Sequence, residues 1–286
     1  VLQVYEVAVI VPSLNVADVI PAQLRALAGQ QTAAGFEILV CDNGSTDDLA
    51  GAVRALDDPR MRVVDARAVR GINHARNCGI KAASDSVDLF LFCDADDVVH
   101  DGWLDAYWRS YRAGAQLLGG PLRRVTPDGT LLGWQHELND WLGFLAWPTG
   151  ANCGITRAVV NQCGYWDESY RGGGDETDVF WTAQLAGFEL CLVPDAAVDY
   201  VQRATLGSAF RQGRGFGYGH VKLFRRFAAR GMPRPKPWAT PYQLVLHVRD
   251  LLVRRADPAS RLNLLKQMGV AWGRLRGSLE FKCYYV

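Results

Sequence analysis

Residues 87–97 read Val87-Asp88-Leu89-Phe90-Leu91-Phe92-Cys93-Asp94-Ala95-Asp96-Asp97, and the fold turns on this stretch. The run from Val87 to Cys93 has the length and composition of a buried strand from the middle of a parallel sheet. Directly behind it, Asp94, Asp96 and Asp97 crowd three carboxylates into four residues. They repel one another and are costly unless a cation or backbone N–H groups neutralise them. A helix N-terminus would stabilise one such carboxylate through its dipole, but not three. In open α/β sheets the carboxyl edge of the strands is also where ligands bind. A hard divalent cation, Mg²⁺ or Mn²⁺, that grips a phosphate is the economical reading.

Working outward, the first hundred residues alternate strand and helix. Val7–Val11 (VAVIV), Phe36–Cys41 (FEILVC) and Met61–Val64 read as strands, and Val16–Ala28 and Asn73–Ala83 as helices. Pro21 is tolerable only in a first helical turn. A further helix runs from about Asp101, an N-cap candidate, to Arg112. This order implies a parallel sheet with helices on both faces. After Gly114, Gln116–Val125 and Thr130–Trp134 flank Pro127-Asp128-Gly129 and read as a hairpin. A segment with Trp134, Trp141 and Trp147 follows. Thr156 is placed to cap a short helix ending near Gly164, a helix runs from Asp175 to Ala186, and Glu189–Val193 is a strand. Beyond Val201 the chain is basic and mostly helical.

With 286 residues and net charge +1, the whole chain does not resemble a nucleic-acid binder. Locally the balance differs. Between Asp199 and Asp250 no acidic residue occurs, while Arg203, Arg211, Arg214, Lys222, Arg225, Arg226, Arg230, Arg234, Lys236 and Arg249 do. The seven cysteines include no C-x-x-C pair, and three lie in apolar runs, so reduced core thiols of a cytoplasmic protein are expected rather than zinc or disulfides. No signal peptide and no membrane span is expected.

Three strand ends share the edge that carries Asp94. Pro12-Ser13-Leu14-Asn15 ends the first strand and Asp42-Asn43-Gly44-Ser45 the second. A carboxylate there can accept from the N–H of a nucleobase, and small residues let backbone approach a ligand. Singly, each motif reads as turn chemistry and capping; together they read as a nucleotide site. Arg76, early in the third helix, can reach a base or diphosphate, or make a surface ion pair. Asp175 and Glu176 follow Gly172-Gly173-Gly174 at a helix start. Capping accounts for one of them, and a general base on a mobile glycine loop accounts for the other.

Taken together, the segments VAVIVPSLN (7–15), VCDNGSTD (40–47), ARNCG (75–79), FCDADDV (92–98), GANCGITR (150–157), GYWDE (164–168) and GGDETDVFWTAQLAG (173–187) resemble glycosyltransferase family 2 over roughly the first two hundred residues. The resemblance implies an α/β GT-A fold, a Rossmann-like nucleotide-sugar-binding sheet flanked by helices, with a C-terminal helical extension. Its catalytic domain would span 1–200, with a nucleotide-binding half (1–115) and an acceptor-binding half (116–200), and the extension 201–286. It further implies that Pro12 and Ser13 touch the nucleoside, that Asp42 binds the base, and that Arg76 contacts base or diphosphate. Asn15, Asn43 and Ala95 complete the donor-binding set. Asp94 would hold the ribose or a metal-bound water, and Asp96 would bind the metal directly. The family's usual Glu-Asp pair stands here as Asp175-Glu176, which leaves the base open between Glu176 and Asp175. Asp97 reads as a bystander that caps the next turn.

The implied reaction is a metal-dependent, inverting transfer of one sugar from a nucleoside-diphosphate sugar, UDP-sugar favoured, to a carbohydrate, lipid-linked or small-molecule hydroxyl. The Gln-x-x-Arg-Trp motif and membrane helices of processive members are absent from the sequence. A sugar-phosphate nucleotidyltransferase would carry a glycine-rich loop after the first strand, where Pro12–Asn15 stands; a non-catalytic nucleotide-sugar-binding subunit would not need the carboxylates. The tryptophans of 134–147 serve either an acceptor path or the core. The basic tail serves as a solvated face, a lid bringing Arg214 or Lys222 to the diphosphate, or a peripheral contact with the inner face of the membrane. Its amphipathic stretches Tyr242–Val253 and Leu262–Leu275 suit interfacial docking, but packing on the catalytic domain or in a homo-oligomer is favoured.

Overall fold

The computed structural model describes residues 4–202, 205–236, 238, 242, 245, 246, 248, 249 and 258–286. Arg203 and most of 242–253 therefore lie outside the described residues. Strands β1 (Val7–Ser13), β2 (Phe36–Asp42), β3 (Met61–Asp65) and β4 (Leu89–Cys93) alternate with helices α1 (Ile20–Ala28), α2 (Leu49–Arg54) and α3 (Ile72–Ala82). A two-residue strand β5 (Val98–Val99) and helix α4 (Trp103–Arg112) follow. Next come β6 (Leu117–Gly119), β7 (Leu122–Val125), β8 (Leu131–Gln135), β9 (Asn152–Thr156), α5 (Arg157–Cys163), α6 (Asp175–Leu185), β10 (Leu190–Leu192) and β11 (Val198–Val201). The long helix α7 (Leu206–Phe227), a 3-10 turn (Ala228–Arg230) and the long helix α8 (Pro258–Glu280) complete the described elements.

The chain forms two compact units. The first comprises residues 1–139, 146–168 and 179–201; the second comprises 140–145, 169–178 and 202–286. In the first, a seven-stranded sheet runs β10-β6-β9-β4-β1-β2-β3 and a four-stranded sheet runs β5-β11-β7-β8. β4 occupies the centre of the larger sheet, as its apolar run predicts, and all five of its residues are buried. Its neighbours correct one expectation: β1 pairs with it in parallel, but β9 pairs antiparallel, so the sheet is mixed. Alternate side chains of the central strands serve opposite faces. Val7, Val9, Val11, Ile38, Val40, Leu89 and Leu91 join Ile20, Leu24, Leu27, Trp103 and Tyr107 in one core. On the opposite face α3 comes so close that a Cβ on Gly79 would lie 2.6 Å from Ile10 and 2.9 Å from the Cys41 thiol.

Two further expectations need correction. The 116–125 segment is not one strand of a hairpin. It breaks at Gly120-Pro121, leaving β6 in the large sheet, and only β7 pairs with β8. A Cβ at Gly120 would sit 2.2 Å from the Ala196 carbonyl, so the chain can change sheets there only as glycine. Asp101 does not cap α4. Gly102 precedes that helix in the left-handed region at φ 78°, where a residue without Cβ is favoured. Pro21 does fall in the first turn of α1, and α3 begins after Gly71.

In the second unit, α7 and α8 lie almost backbone to backbone. Cβ atoms on Gly213 and Gly217 would lie 1.9 and 2.0 Å from the Lys266 and Val270 carbonyls; on Gly269 and Gly273 they would lie 2.3 and 2.1 Å from those of Phe210 and Arg214. Leu262–Leu275 thus packs on α7.

Candidate active site

The parallel pairing of β1 with β2 and β4 brings their carboxyl ends to one edge, with Ser13 opposite Asp42 and Ile10 opposite Phe92. Pro12 is half-buried. Ser13 is buried, and its hydroxyl donates to the Val11 carbonyl at 3.1 Å. Asn15 takes φ 52°, and its Oδ1 accepts from the Thr46 N–H at 2.8 Å. Asp42 Oδ1 accepts from the Gly44 and Ser45 N–H groups at 3.1 and 2.7 Å. Asn43 commits its whole amide. Nδ2 donates to the Ala66 and Val69 carbonyls, and Oδ1 accepts from the Gly71 N–H at 2.7 Å. Turn chemistry therefore describes Ser13, Asn15 and Asn43, which brace the loops. Asp42 remains half-exposed, with its second oxygen outside that turn.

The acidic cluster divides by burial. Asp96 is exposed, Asp94 half-buried and Ala95 buried. Asp97 is no bystander: it is 2% exposed, and its Oδ1 accepts from the Val201 N–H of β11 at 2.9 Å. Its Oδ2 is buried without a hydrogen-bond partner. Burial, then the charge of Asp94, pushes this carboxyl well above the usual carboxylate range. Gln23, fully buried in α1, clamps the same loop, donating to the Asp94 carbonyl at 3.1 Å and accepting from the Val99 N–H at 3.0 Å. Among the described residues no three His, Cys, Asp or Glu side chains converge on one metal position. Asp94 and Asp96 are the residues that could hold a hard cation, which takes one or two carboxylates and fills its shell with phosphate oxygens.

Arg76 is 3% exposed. Its guanidinium lies 4.3 Å over the Trp166 ring and donates to Asn73 Oδ1 at 3.2 Å and the Gly150 carbonyl at 3.3 Å. Two neighbours on α3 extend this clasp. Asn77 donates to the Trp166 carbonyl at 2.9 Å and Glu168 at 2.8 Å, and His74 Nδ1 lies 3.0 Å from Glu168. Burial pushes Glu168 up, but Asn77 and His74 outweigh it and hold the carboxyl below its usual range. Three quoted segments, 75–79, 150–157 and 164–168, are thereby one structural assembly.

In the second unit, α6 opens with Asp175, Glu176 and Asp178. Asp175 is buried and Glu176 only half-buried. Asp178, which sequence reasoning passed over, is 3% exposed and holds Tyr170 Oη at 3.0 Å and Arg226 Nη1 at 2.6 Å. The glycine loop before them is not free to swing. Gly173 sits at φ 146°, and a Cβ there would lie 2.4 Å from Phe216 of α7. A Cβ on Gly219 would lie 2.2 Å from the Gly173 carbonyl. The glycines serve close approach to α7.

The three tryptophans separate. Trp147 is 3% exposed and meets Trp181 edge-on at 5.6 Å, so it is core. Trp134 is exposed and stacks on His136 at 5.1 Å, and Trp141 is exposed beside His220 at 5.0 Å. Thr156 precedes α5 but caps it with no side-chain bond. None of the seven cysteines is in a disulfide.

Residues 8–165 match the sequence model described as Glycosyl transferase family 2. UDP-Glc:alpha-D-GlcNAc-diphosphoundecaprenol beta-1,3-glucosyltransferase WfgD of Escherichia coli is 35% identical over 94 residues, 33% of this chain and 36% of that protein. Succinoglycan biosynthesis protein ExoO of Rhizobium meliloti is 34% identical over 131 residues, 46% of this chain and 37% of that protein. The matched stretches thus span little more than a third of these relatives' length. Among solved structures, the mannosyltransferase PcManGT from Pyrobaculum calidifontis, in complex with GDP-Man and Mn²⁺, superposes with TM-score 0.68 at 17% identity over 96% of this chain and 87% of that one. S. aureus TarS 1-349 in complex with UDP-GlcNAc gives 0.58 at 17% identity over 98% and 93%. At that identity the likeness is one of fold.

Proposed function

The chain belongs to glycosyl transferase family 2 and has its GT-A fold, and from that premise we propose that it moves one sugar from a UDP-sugar to an acceptor hydroxyl with inversion at the anomeric carbon. The observation that carries the proposal is the shared carboxyl edge of β1, β2 and β4. The Asp42 turn and the Asp94–Asp96 pair follow β2 and β4, the two parallel strands that flank β1, in a domain whose sequence matches the family.

On this reading Asp42 uses its outer oxygen to orient the base, and Pro12 and Ser13 form the floor beneath the nucleoside. Asp94 and Asp96 hold Mn²⁺ or Mg²⁺, which when bound supplies positive charge against the departing diphosphate. Arg76 adds a fixed cation whose position Trp166 and Gly150 secure. Glu176 takes the proton from the acceptor hydroxyl as that oxygen forms its bond to the anomeric carbon. The bond from that carbon to the diphosphate oxygen breaks, and the nucleoside diphosphate leaves. Accessibility favours Glu176 over Asp175: Glu176 is half-buried and Asp175 is buried. Exposed Trp134 suits a sugar acceptor, since aromatic faces stack on sugar rings. A carbohydrate or lipid-linked hydroxyl fits this better than a bare small molecule. No helix among the described residues is long and apolar enough to cross a membrane.

Melting curves against a panel of nucleotide sugars with Mn²⁺ test the donor, because a ligand bound only to the native state raises the melting temperature. A UDP-sugar should raise it most, and Asp42→Ala should remove the shift. An unchanged curve with every nucleotide sugar would overturn the reading.

A further inference from the structure

Residues 202–286 carry 17 Lys and Arg against 3 Asp and Glu, while residues 1–201 carry 14 against 27, so a chain of net charge +1 divides into parts of +14 and −13. The transfer chemistry proposed above gives the cations of this segment no role. Helix α8 shows what they accompany. Its glycine face, Gly269 and Gly273, is spent against α7. Outward, Met268, Trp272, Leu275 and Leu279 are 40%, 54%, 43% and 73% exposed. Their spacing of four, three and four residues sets them in one stripe along the helix. Arg261, eleven residues before Trp272, and Arg276, four after it, fall on the same side, and both are exposed. The only acid on the helix, Glu280, is held by Tyr218 Oη at 2.6 Å and Arg276 at 3.9 Å. Trp238, Tyr242, Val245 and Val248 are exposed as well, between Lys236 and Arg249.

An occupant of this face must cover an apolar stripe and accept positive charge along it. A second copy packed through the same helix would set +14 against +14. A nucleic acid would meet the charge and leave the stripe in water. An anionic bilayer satisfies both demands, with Trp at the headgroup level and apolar side chains below it. We propose that α8 is a peripheral docking helix for anionic phospholipid membranes, with Met268, Trp272, Leu275 and Leu279 entering the acyl boundary and Arg261 and Arg276 meeting phosphate headgroups. The inference does not depend on the donor or the acceptor.

Flotation of the full chain with phosphatidylcholine vesicles, with and without about one-third phosphatidylglycerol, tests it at low and high salt. The chain should float with the anionic vesicles. Partitioning should fall at least about tenfold when phosphatidylglycerol is omitted, when salt is raised, or in the triple variant Trp272→Glu, Leu275→Glu, Leu279→Glu. Far-ultraviolet circular dichroism should show that variant folded. If it is not, quenching by brominated lipid takes its place: a quenched component should vanish in Trp272→Phe. Three outcomes overturn the proposal: no flotation with anionic vesicles, flotation of the folded triple variant equal to that of the native chain, or a dimer in solution that the triple variant dissociates.

Discussion

Asp175, Glu176 and Asp178 share the first turn of α6, where the helix dipole favours negative charge on each, yet their surroundings separate them. Asp178 is sealed between Tyr170 and Arg226. Replacing it by Ala should cost on the order of 3 kcal/mol, because a paired group that is nine-tenths buried leaves its partners behind; chemical denaturation checks this. Glu176→Gln should leave the denaturation midpoint unchanged and lower turnover at least about a hundredfold, the scale of a lost general base. Asp175→Asn should lower it less. Equal turnover in native enzyme and Glu176→Gln would remove the assignment. Gln23→Met keeps volume but loses both bonds to the 94–99 loop. It should weaken Mn²⁺-dependent donor affinity, read by calorimetry, more than it lowers stability. The candidate acids were legible in the sequence because they sit in local clusters beside glycines or behind an apolar run. Gln23, Asp97 and Asn152 were not. Asn152 joins Trp103 and Tyr107 to the Pro121 and Ala196 carbonyls, and nothing local to Asn152 announces partners that distant. Asp97 misled because a buried and an exposed carboxylate look alike until β11 is in place.

Helices α7 and α8 meet through glycine rather than through large side chains, and that contact makes sharp demands. Gly273→Val would put side-chain atoms where the Arg214 carbonyl stands. It should destabilise the helix pair by several kcal/mol, on the order of an overpacked core or more. Gly207→Ala, whose Cβ meets only the end of Arg211 at 3.6 Å, should instead stabilise by up to about 1 kcal/mol. Thermal unfolding of the two variants checks the contrast. The same helices bury His220 beside Arg274, whose Nη2 lies 3.4 Å from Nδ1, and Trp141. Burial, then the Arg274 charge, holds its imidazole well below the usual range. The folded state keeps His220 neutral while the unfolded chain takes up a proton below about pH 6.5, so stability falls as pH drops through that value. His220→Phe should flatten the dependence between about pH 6.5 and 5, as denaturation midpoints at each pH would show. At this scale most elements were legible from period and punctuation, but the break at Gly120-Pro121 was not. Gln116–Val125 reads as one apolar-rich strand, and only the approach of Ala196, far along the chain, forces it to change sheets. Antiparallel β9 was hidden likewise, since a buried run carries no sign of its direction.

Across the whole molecule, the carboxylates and the family match fall in residues 8–165, whereas the base candidates and the cationic helices come from later sequence. The order of β-α units was readable because each apolar run ends in turn residues, and parallel neighbours then had to share an edge. What could not be read was the composition of the second unit, which draws 140–145 and 169–178 out of the middle of the chain to join 202–286. That gathering depends on contacts such as Gly173 with Phe216, whose partners lie more than forty residues apart. On the proposed function, the edge formed by β1, β2 and β4 binds a nucleotide sugar and the enzyme breaks its anomeric bond. Nucleoside diphosphate release from a panel of nucleotide sugars, with Mn²⁺ or chelator, measures this most directly in native enzyme and Asp96→Asn. Release from a UDP-sugar is expected, abolished by chelator and lowered at least about a hundredfold by Asp96→Asn. No release from any nucleotide sugar, or equal release by native enzyme and Asp96→Asn, would contradict that function.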